Sequence, residues 1–319
     1  MRPGGGGGDR DRQALVILEA EDAVRRFAPQ LVKGETLSVA RVQTTRPKYL
    51  VFGANPETPV CVVQFGAFDE LERLHHILQR LEPHLPALIP KAIALEPYGR
   101  GLHAHIQGGL AGAPWFRIRQ ECRTERRWME ILNLSVDALR QLQSAVRKEG
   151  CWTRTVSPAD ELRTQLQLSL RHISIPDDTV RRVNAAADSL DCLGKIESQA
   201  QHGDFALNNL LIQNKVVRII DFDEFGMTFM PYHDETGVAL SLLALAPAAV
   251  NATVFDYLAA IRQERRDRRD GAGLDEHLPA LIIHHVVWRL NQSRDRRREE
   301  VKAWLVGVLC MLASHLIRL

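Results

Sequence analysis

The residues best suited to chemistry lie in one stretch of the second half of the chain. Segment 202–209 reads HGDFALNN and places Asp204 five positions before Asn209, and Asp221 follows twelve positions after that asparagine. At this spacing a carboxylate, an amide oxygen and a second carboxylate can meet around the metal ions of a nucleotide. Phosphoryl transfer needs that set, because one carboxylate accepts the proton of the attacking hydroxyl while the other oxygens hold the metal against the phosphate. Hard oxygen ligands suit Mg²⁺ or Mn²⁺ and not Zn²⁺.

A hairpin and several helices must position these residues. Two β-rich runs, Leu210–Ile212 and Val216–Ile220, are joined by Gln213-Asn214-Lys215, which predicts a hairpin that ends at Asp221. Most of the chain beyond residue 110 has the apolar spacing of helices. The predicted helices are Trp128–Lys148, Asp160–His172, Asp178–Leu190, Glu235–Leu245, Val254–Arg266, Glu276–Asn291 and Glu299–Ile317.

The first part of the chain reads as a small sheet with one helix. Short runs rich in β-branched and aromatic residues, separated by Pro, Gly and Asn, predict strands over 36–43, 48–52, 60–65, 92–95 and 102–106. Asp69–Leu81 has apolar residues at helical spacing, with Asp69 as its capping residue. A glycine-rich passage, 108–114, separates this part from the helical one. The pattern favours an α+β fold, in which a small antiparallel sheet with one helix precedes a larger, mainly helical lobe.

The two motifs resemble those of a known family. HGDFALNN and the following IIDFDEFG are similar to the H-x-D-x-x-x-x-N catalytic loop and metal-binding segment of the aminoglycoside phosphotransferase and choline kinase group. This resemblance implies a two-lobed, protein-kinase-like fold. It makes Asp204 the catalytic base, Asn209 and Asp221 the metal ligands, and Asp223 a weaker ligand. It also implies ATP or GTP as phosphoryl donor and Mg²⁺, with Mn²⁺ as the alternative metal.

The same resemblance assigns two further structural roles and a nucleotide linker. His202 is expected to organise the catalytic loop, and Asp234 is expected to fix that loop from the start of the next helix. Residues 106–109 correspond to the linker whose main chain holds adenine, so Gln107 and Gly109 are expected to contact the nucleotide.

The first lobe departs from the family pattern at one position. Active relatives carry a lysine on the third strand that contacts the nucleotide phosphates and pairs with a helix glutamate. Here Gln64 stands at that position, so a fixed positive charge is missing. Lys48 on the neighbouring strand, or Arg46 in the preceding turn, is a candidate substitute. Glu72, with Glu70 as the less favoured alternative, matches the helix glutamate, and we expect nucleotide-binding roles for Gln64, Lys48 and Glu72.

Three functions remain open at this point. The first is a phosphotransferase that moves the γ-phosphoryl group to a hydroxyl of a small molecule. The second, suggested by Gln64, is a kinase-like protein that binds a nucleotide or metabolite without transfer. The third is a nucleotidyl transferase on the same fold. The sequence does not identify the acceptor, although its arginine-rich helices weakly disfavour a polycation.

Composition and charge indicate which partners and which cellular compartment to expect. The 319 residues are 45% hydrophobic and 25% charged, with a formal net charge of +2, which predicts an ordinary globular protein. The charge runs alternate in sign, so neither nucleic acid nor membrane is an expected partner. Five scattered cysteines and the lack of a signal-like N-terminus favour a cytoplasmic protein. We predict a flexible tail and lead-in over residues 1–30, a nucleotide-binding lobe over 31–109 and a catalytic, acceptor-binding lobe over 110–319.

Overall fold

The computed structural model describes residues 18–42, 47–118, 124–245, 274–292 and 299–315. The predicted helix Val254–Arg266 and the candidate Arg46 lie outside these ranges. The chain divides into two compact units, of which the first comprises Met1–Ile118 and Asn208–Asp223. The second comprises Arg119–Leu207 and Glu224–Leu319.

The first unit is built on a five-stranded antiparallel sheet with the strand order β1-β2-β3-β5-β4. The strands are β1 (Ser38–Val42), β2 (Lys48–Phe52), β3 (Cys61–Gly66), β4 (Ala92–Gly99) and β5 (Leu102–Gly108). All five predicted strands are present, and β2 has the predicted bounds. The fold class and the antiparallel sheet are therefore confirmed.

One face of this sheet packs against a helix that the sequence analysis does not anticipate. Residues 18–27 form helix α1, and its Ala20, Ala23 and Val24 are fully buried in a core with Val51 of β2 and Val63 of β3. The sequence analysis assigns this segment to a tail and lead-in and predicts no helix there. Its apolar stripe consists largely of alanines, so the helical period gives a weak hydrophobic signal.

Helix α2 (Phe68–Leu81) lies against β4 and β5 of the same unit. It buries Leu71, Leu74, Ile77, Leu78 and Leu81, as the apolar spacing predicts. Asp69 is not the capping residue, because the helix begins one residue earlier than predicted and Ala67 precedes it without a side-chain hydrogen bond. Asp69 instead lies in the first turn, where a carboxylate interacts favourably with the positive end of the helix dipole.

A second sheet in the first unit has the order β10-β9-β6. Its hairpin joins β9 (Leu210–Gln213) to β10 (Val216–Ile219), while β6 is Ala113–Pro114. Asn214 and Lys215 form the turn with φ values of 49° and 64°, which is the geometry of a two-residue hairpin loop. The short 3₁₀-helix Glu82–His84 and helix α3 (Trp115–Ile118) also belong to this unit.

The second unit is mainly helical. Its described helices are α4 (Glu125–Glu149), α5 (Pro158–Leu170), α6 (Asp177–Ser189), α7 (His233–Leu245), α8 (Leu278–Gln292) and α9 (Glu299–His315). Helix α8 is buried along nearly its whole length, and α5, α6, α7 and α9 all pack against it. Strands β7 (Thr153–Val156) and β8 (Ile196–Gln199) form an antiparallel pair that the sequence analysis misses, because both are short and largely polar and neither contains a fully buried residue.

The boundaries of the units differ from the predicted lobes. The first unit extends to Ile118 and includes Asn208–Asp223, because β9 pairs with β6. The assignment of nucleotide binding and catalysis to particular lobes stays a prediction. No helix within the described ranges is long and apolar enough to cross a membrane.

Helix α1 provides a test of the core. Val24→Ala removes two fully buried methyl groups, and we expect it to destabilise the protein by about 1–3 kcal/mol. Leu18→Ala is the matched control, because that leucine is 64% exposed on the same helix. Thermal melting of the full-length variants measures both effects. An equally small effect at the two positions would contradict the assignment of α1 to the core.

Candidate active site

The first unit brings together one lysine and two of the predicted metal ligands. Lys48 Nζ lies 2.7 Å from Asp221 Oδ1 and 3.6 Å from Asp223 Oδ2. The three side chains are largely but not fully buried. An ammonium group between two carboxylates offsets their mutual repulsion, so the ion pairs hold both acidic side chains in one place.

The backbone fixes Asp221 at the end of the hairpin. The N–H of Ile220 donates to the carbonyl oxygen of Asn209 over 3.0 Å, and the N–H of Ile219 donates to the carbonyl oxygen of Leu88 over 2.8 Å. Asp221 itself has a φ of 68°, in the left-handed region that non-glycine residues rarely occupy. Strained backbone of this kind is concentrated at functional sites.

Lys48 and Gln64 are directly opposite each other on β2 and β3. Since paired residues of adjacent strands share a face of the sheet, the two side chains emerge on the same side. Gln64 is 2% exposed, and its amide atoms have no hydrogen-bond partner within the part of the chain that the structure describes. Lys48, the substitute suggested by the sequence, therefore brings a positive charge to Asp221 from the neighbouring strand.

The predicted helix glutamate, Glu72, is exposed. Glu72 lies on the exposed side of α2 and forms no ion pair with any described residue. Arg73, the next residue, instead donates a hydrogen bond to the backbone carbonyl oxygen of Asp223. Within the described ranges, the helix therefore contacts the segment that contains Asp221 and Asp223 through an arginine and not through Glu72.

The opposite neighbour of Gln64 is a buried histidine. His105 on β5 pairs with Gln64 in the sheet, and its ring centroid lies 5.3 Å from that of His75 on α2. Burial lowers the pKa of His105 to about 3, with smaller contributions from the positive charges of His75 and Lys48. We conclude that His105 is neutral at pH 7.

Two predicted nucleotide contacts lie at the end of β5. Gln107 is buried and pairs with Val62 of β3. The N–H of Gly109 donates to the carbonyl oxygen of Val60 over 3.1 Å, and a Cβ atom at Gly109 would overlap the carbonyl of Pro59. Only glycine fits this close approach of two backbone segments, so the linker is held by main-chain contacts.

Asn209 is the third predicted metal ligand and also belongs to the first unit. Its side chain is buried, and its Oδ1 accepts a hydrogen bond of 3.2 Å from Nδ2 of Asn208. Its backbone carbonyl carries the hydrogen bond to Ile220 described above, which ties it to the residue just before Asp221.

In the second unit, the predicted catalytic base contacts an arginine that the sequence analysis misses. Asp204 Oδ1 lies 2.9 Å from Nη1 of Arg289 on α8, and the same Nη1 donates to Glu224 Oε2 over 3.1 Å. Arg289 is the only charged residue of α8, apart from histidines. A single arginine within an apolar helix is the signal that could have identified it, since burying its charge requires partners.

Asp234 fixes the catalytic loop, as predicted. Its two carboxylate oxygens accept hydrogen bonds from the backbone N–H groups of His202 and Gly203, over 2.7 Å and 3.0 Å. Burial raises the pKa of Asp234 to about 8, although the two hydrogen bonds oppose that rise. Gly203 has a φ of 88°, and a Cβ there would overlap the carbonyl oxygen of Glu224. The loop before Asp204 is thus fixed through its backbone.

The catalytic-loop sequence spans the division of the chain. Residues up to Leu207 belong to the second unit, and Asn208–Asp223 belong to the first. The structure brings Lys48, Asp221 and Asp223 together in one unit, and Asp204 and Arg289 in the other. Each set is of a kind that phosphoryl transfer uses: a cation for the phosphates and acidic ligands for the metal in the first unit, and a carboxylate for the hydroxyl proton in the second.

Comparison with solved structures identifies the fold. The thermostable mutant of aminoglycoside phosphotransferase APH(4)-Ia, solved with AMP-PNP and hygromycin B, is 11% identical, with a TM-score of 0.62 over 92% of this chain and 97% of that one. A glucosamine kinase solved with glucosamine, ADP and inorganic phosphate is 16% identical, with a TM-score of 0.61 over 94% and 85%. Choline kinase from Cryptosporidium parvum is 12% identical, with a TM-score of 0.58 over 96% of each chain. At these identities the likeness establishes a kinase-like fold.

The sequence itself places the chain in a family. The family model described as the phosphotransferase enzyme family, APH, matches residues 30–265, which is most of the chain. The protein therefore belongs to the APH phosphotransferase family. A comparison with curated protein sequences finds no match.

His105 makes the stability of the protein depend on pH. The unfolded chain protonates this histidine near pH 6.5, whereas the folded protein keeps it neutral to about pH 3. The unfolded state therefore binds more protons in this window, and stability is lost as the pH falls through it. One such proton is worth about 1.4 kcal/mol per pH unit.

We expect His105→Asn to reduce this loss by about 1.4 kcal/mol per pH unit between pH 6 and pH 4.5. Urea unfolding at both pH values measures the loss, and His76→Asn on the exposed side of α2 is the control. Identical pH dependence in wild type and His105→Asn would contradict the assignment.

Proposed function

We propose that the protein transfers the γ-phosphoryl group of ATP or GTP to a hydroxyl of a small-molecule acceptor, with Mg²⁺ or Mn²⁺ as the metal. The observation that carries the proposal is the contact of Lys48 with Asp221 and Asp223, because it supplies the fixed positive charge that Gln64 lacks. Family membership supports phosphotransfer in general. Structural neighbours crystallised with AMP-PNP or ADP support a nucleoside triphosphate as the donor.

The residues present suit a divalent metal bound together with a nucleotide. Asp221, Asp223 and Asn209 offer carboxylate and amide oxygens, which are the ligands that Mg²⁺ prefers. No group of three His, Cys, Asp or Glu side chains in the described ranges could hold a metal by itself. That finding fits a nucleotide site, since Mg²⁺ in kinases usually takes its remaining ligands from phosphate oxygens and water. When bound, the metal neutralises charge that develops on the phosphate oxygens.

The residues of the chain then have separate roles in the transfer. Lys48 contacts the phosphates and positions Asp221 through their ion pair. Asp204 accepts the proton of the acceptor hydroxyl as that oxygen bonds to the γ-phosphorus, and the bond from the γ-phosphorus to the bridging oxygen of the diphosphate breaks. The products are a phosphate ester of the acceptor and a nucleoside diphosphate. The left-handed Asp221 and the loop held by Asp234 limit the movement of these groups.

The second candidate is a kinase-like protein that binds a nucleotide or metabolite without transfer. Its motivation is Gln64, which cannot replace the charge of a lysine. Lys48 weakens this candidate, because a lysine that contacts Asp221 from β2 restores the charge by another route. The binding protein predicts nucleotide affinity with no turnover on any acceptor, whereas a nucleotidyl transferase predicts release of pyrophosphate.

Replacement of the proposed base tests the function. The wild type is screened for nucleoside diphosphate release with amino sugars, aminoglycosides, amino alcohols and hydroxy acids, and the best acceptor is then used with each variant. We expect Asp204→Asn to lower kcat about 10²–10⁴-fold, because a positioned general base contributes that much. We expect little change in nucleotide affinity.

Asp137→Asn is the matched control, since that aspartate is exposed on α4 and contacts only Arg140 among the described side chains. Full activity of Asp204→Asn would exclude its role as base. Nucleotide binding by the wild type without turnover on any acceptor would favour the binding protein.

A further inference from the structure

Arg289 holds the proposed base with only one of its nitrogen atoms. All its hydrogen bonds and ion pairs with described residues run through Nη1, which contacts both Asp204 and Glu224. Nε and Nη2 are not among the buried polar atoms, and the side chain is 24% exposed. The edge formed by Nε and Nη2 is therefore accessible next to the catalytic carboxylate.

This edge has a definite chemical preference. Nε–H and Nη2–H of a guanidinium point in parallel, and they match the two oxygens of a carboxylate or phosphate. Asp204 and Glu224 together outweigh the single positive charge of Arg289, so recognition here rests on the directional donors and not on the net charge of the cluster. A lysine at this position could not present the same pair of donors.

The proposed function places the acceptor beside this edge. A general base must lie within hydrogen-bond reach of the hydroxyl whose proton it accepts, about 2.6–3.2 Å. The acceptor hydroxyl therefore lies next to Asp204, and Arg289 lies next to the same carboxylate. A group a few bonds away from the reacting hydroxyl can then reach Nε and Nη2.

We infer that the acceptor is a hydroxy acid whose carboxylate binds the Nε–Nη2 edge of Arg289, an inference that rests on the proposed phosphotransfer. An ammonium group in that position would face the donors of a cation, and the nearest carboxylates are already bonded to Arg289. The Nε–Nη2 edge therefore discriminates against a cationic group at this position by the bonds it offers, and not by the net charge of the cluster.

A panel of matched acceptors tests the inference with the full-length protein. Each pair consists of a hydroxy carboxylate and its primary amide, and amino alcohols form a third group. Nucleoside diphosphate release measures kcat and KM. We expect kcat/KM to be at least about tenfold higher for the acid than for the amide of the preferred pair, as for hydrogen bonds to a charged group.

Variants of Arg289 separate recognition from positioning of the base. We expect Arg289→Gln and Arg289→Lys to remove the preference for the acid mainly by raising its KM, because neither side chain presents the parallel donors. Arg181→Gln, an exposed arginine on α6, is the control. Melting temperatures verify that each variant folds. An equal loss of kcat for acid and amide would mean that Arg289 only positions Asp204, and would overturn the inference.

The outcomes for the wild type are also decisive. Transfer only to amides or amino alcohols overturns the inference and leaves the proposed phosphotransfer intact. Nucleotide binding with no transfer to any hydroxy acid of the panel likewise counts against it. Absence of any stabilisation by nucleotide and metal would instead remove the proposed function itself.

Discussion

The ion pair between Lys48 and Asp221 is the interaction on which the rest of the site depends. It joins the second strand of the sheet to the end of the β9–β10 hairpin, and it also brings Asp223 within reach of the same ammonium group. The ammonium charge offsets the repulsion between the two carboxylates. The pair thus holds the acidic groups in place, and in the proposed function it also provides the cation for the nucleotide phosphates.

The predicted catalytic loop is held in a different way, by hydrogen bonds and close contacts to its backbone. Asp234 accepts hydrogen bonds from two successive N–H groups, and Gly203 lies too close to Glu224 to carry a side chain. The carboxylate of Asp204, the proposed base, contacts one nitrogen atom of Arg289. This arrangement fixes the position of the base while its carboxylate stays partly exposed.

Much of this architecture could be predicted from the sequence, because the relevant signals are local. The hairpin before Asp221 follows from β-rich runs around Asn214 and Lys215, and α2 follows from its apolar spacing. Helix α1 could not be predicted in the same way, since its buried face is largely alanine. Its burial depends on the sheet that it covers.

The partners of the charged residues in the site could not be predicted from local sequence either. The sequence identifies Asp204, Asn209 and Asp221 by spacing, but the partner of each charge depends on strand register and helix packing. Lys48 is adjacent to Gln64 only because β2 and β3 pair in one register. Arg289 lies 85 residues beyond Asp204, within a helix that otherwise reads as buried core. Glu72, matched by sequence alone, lies on the exposed side of α2.

The most direct test of the account is the melting temperature of the full-length protein with ATP, with Mg²⁺ and with both, in wild type and in Asp221→Asn. A ligand that binds only the folded state stabilises it by about 2.7 kcal/mol at one hundred times its Kd. The account predicts a rise that needs both nucleotide and metal and that is largely lost in the variant. An equal rise in Asp221→Asn, or a full rise without metal, would contradict a nucleotide–metal site at Lys48, Asp221 and Asp223.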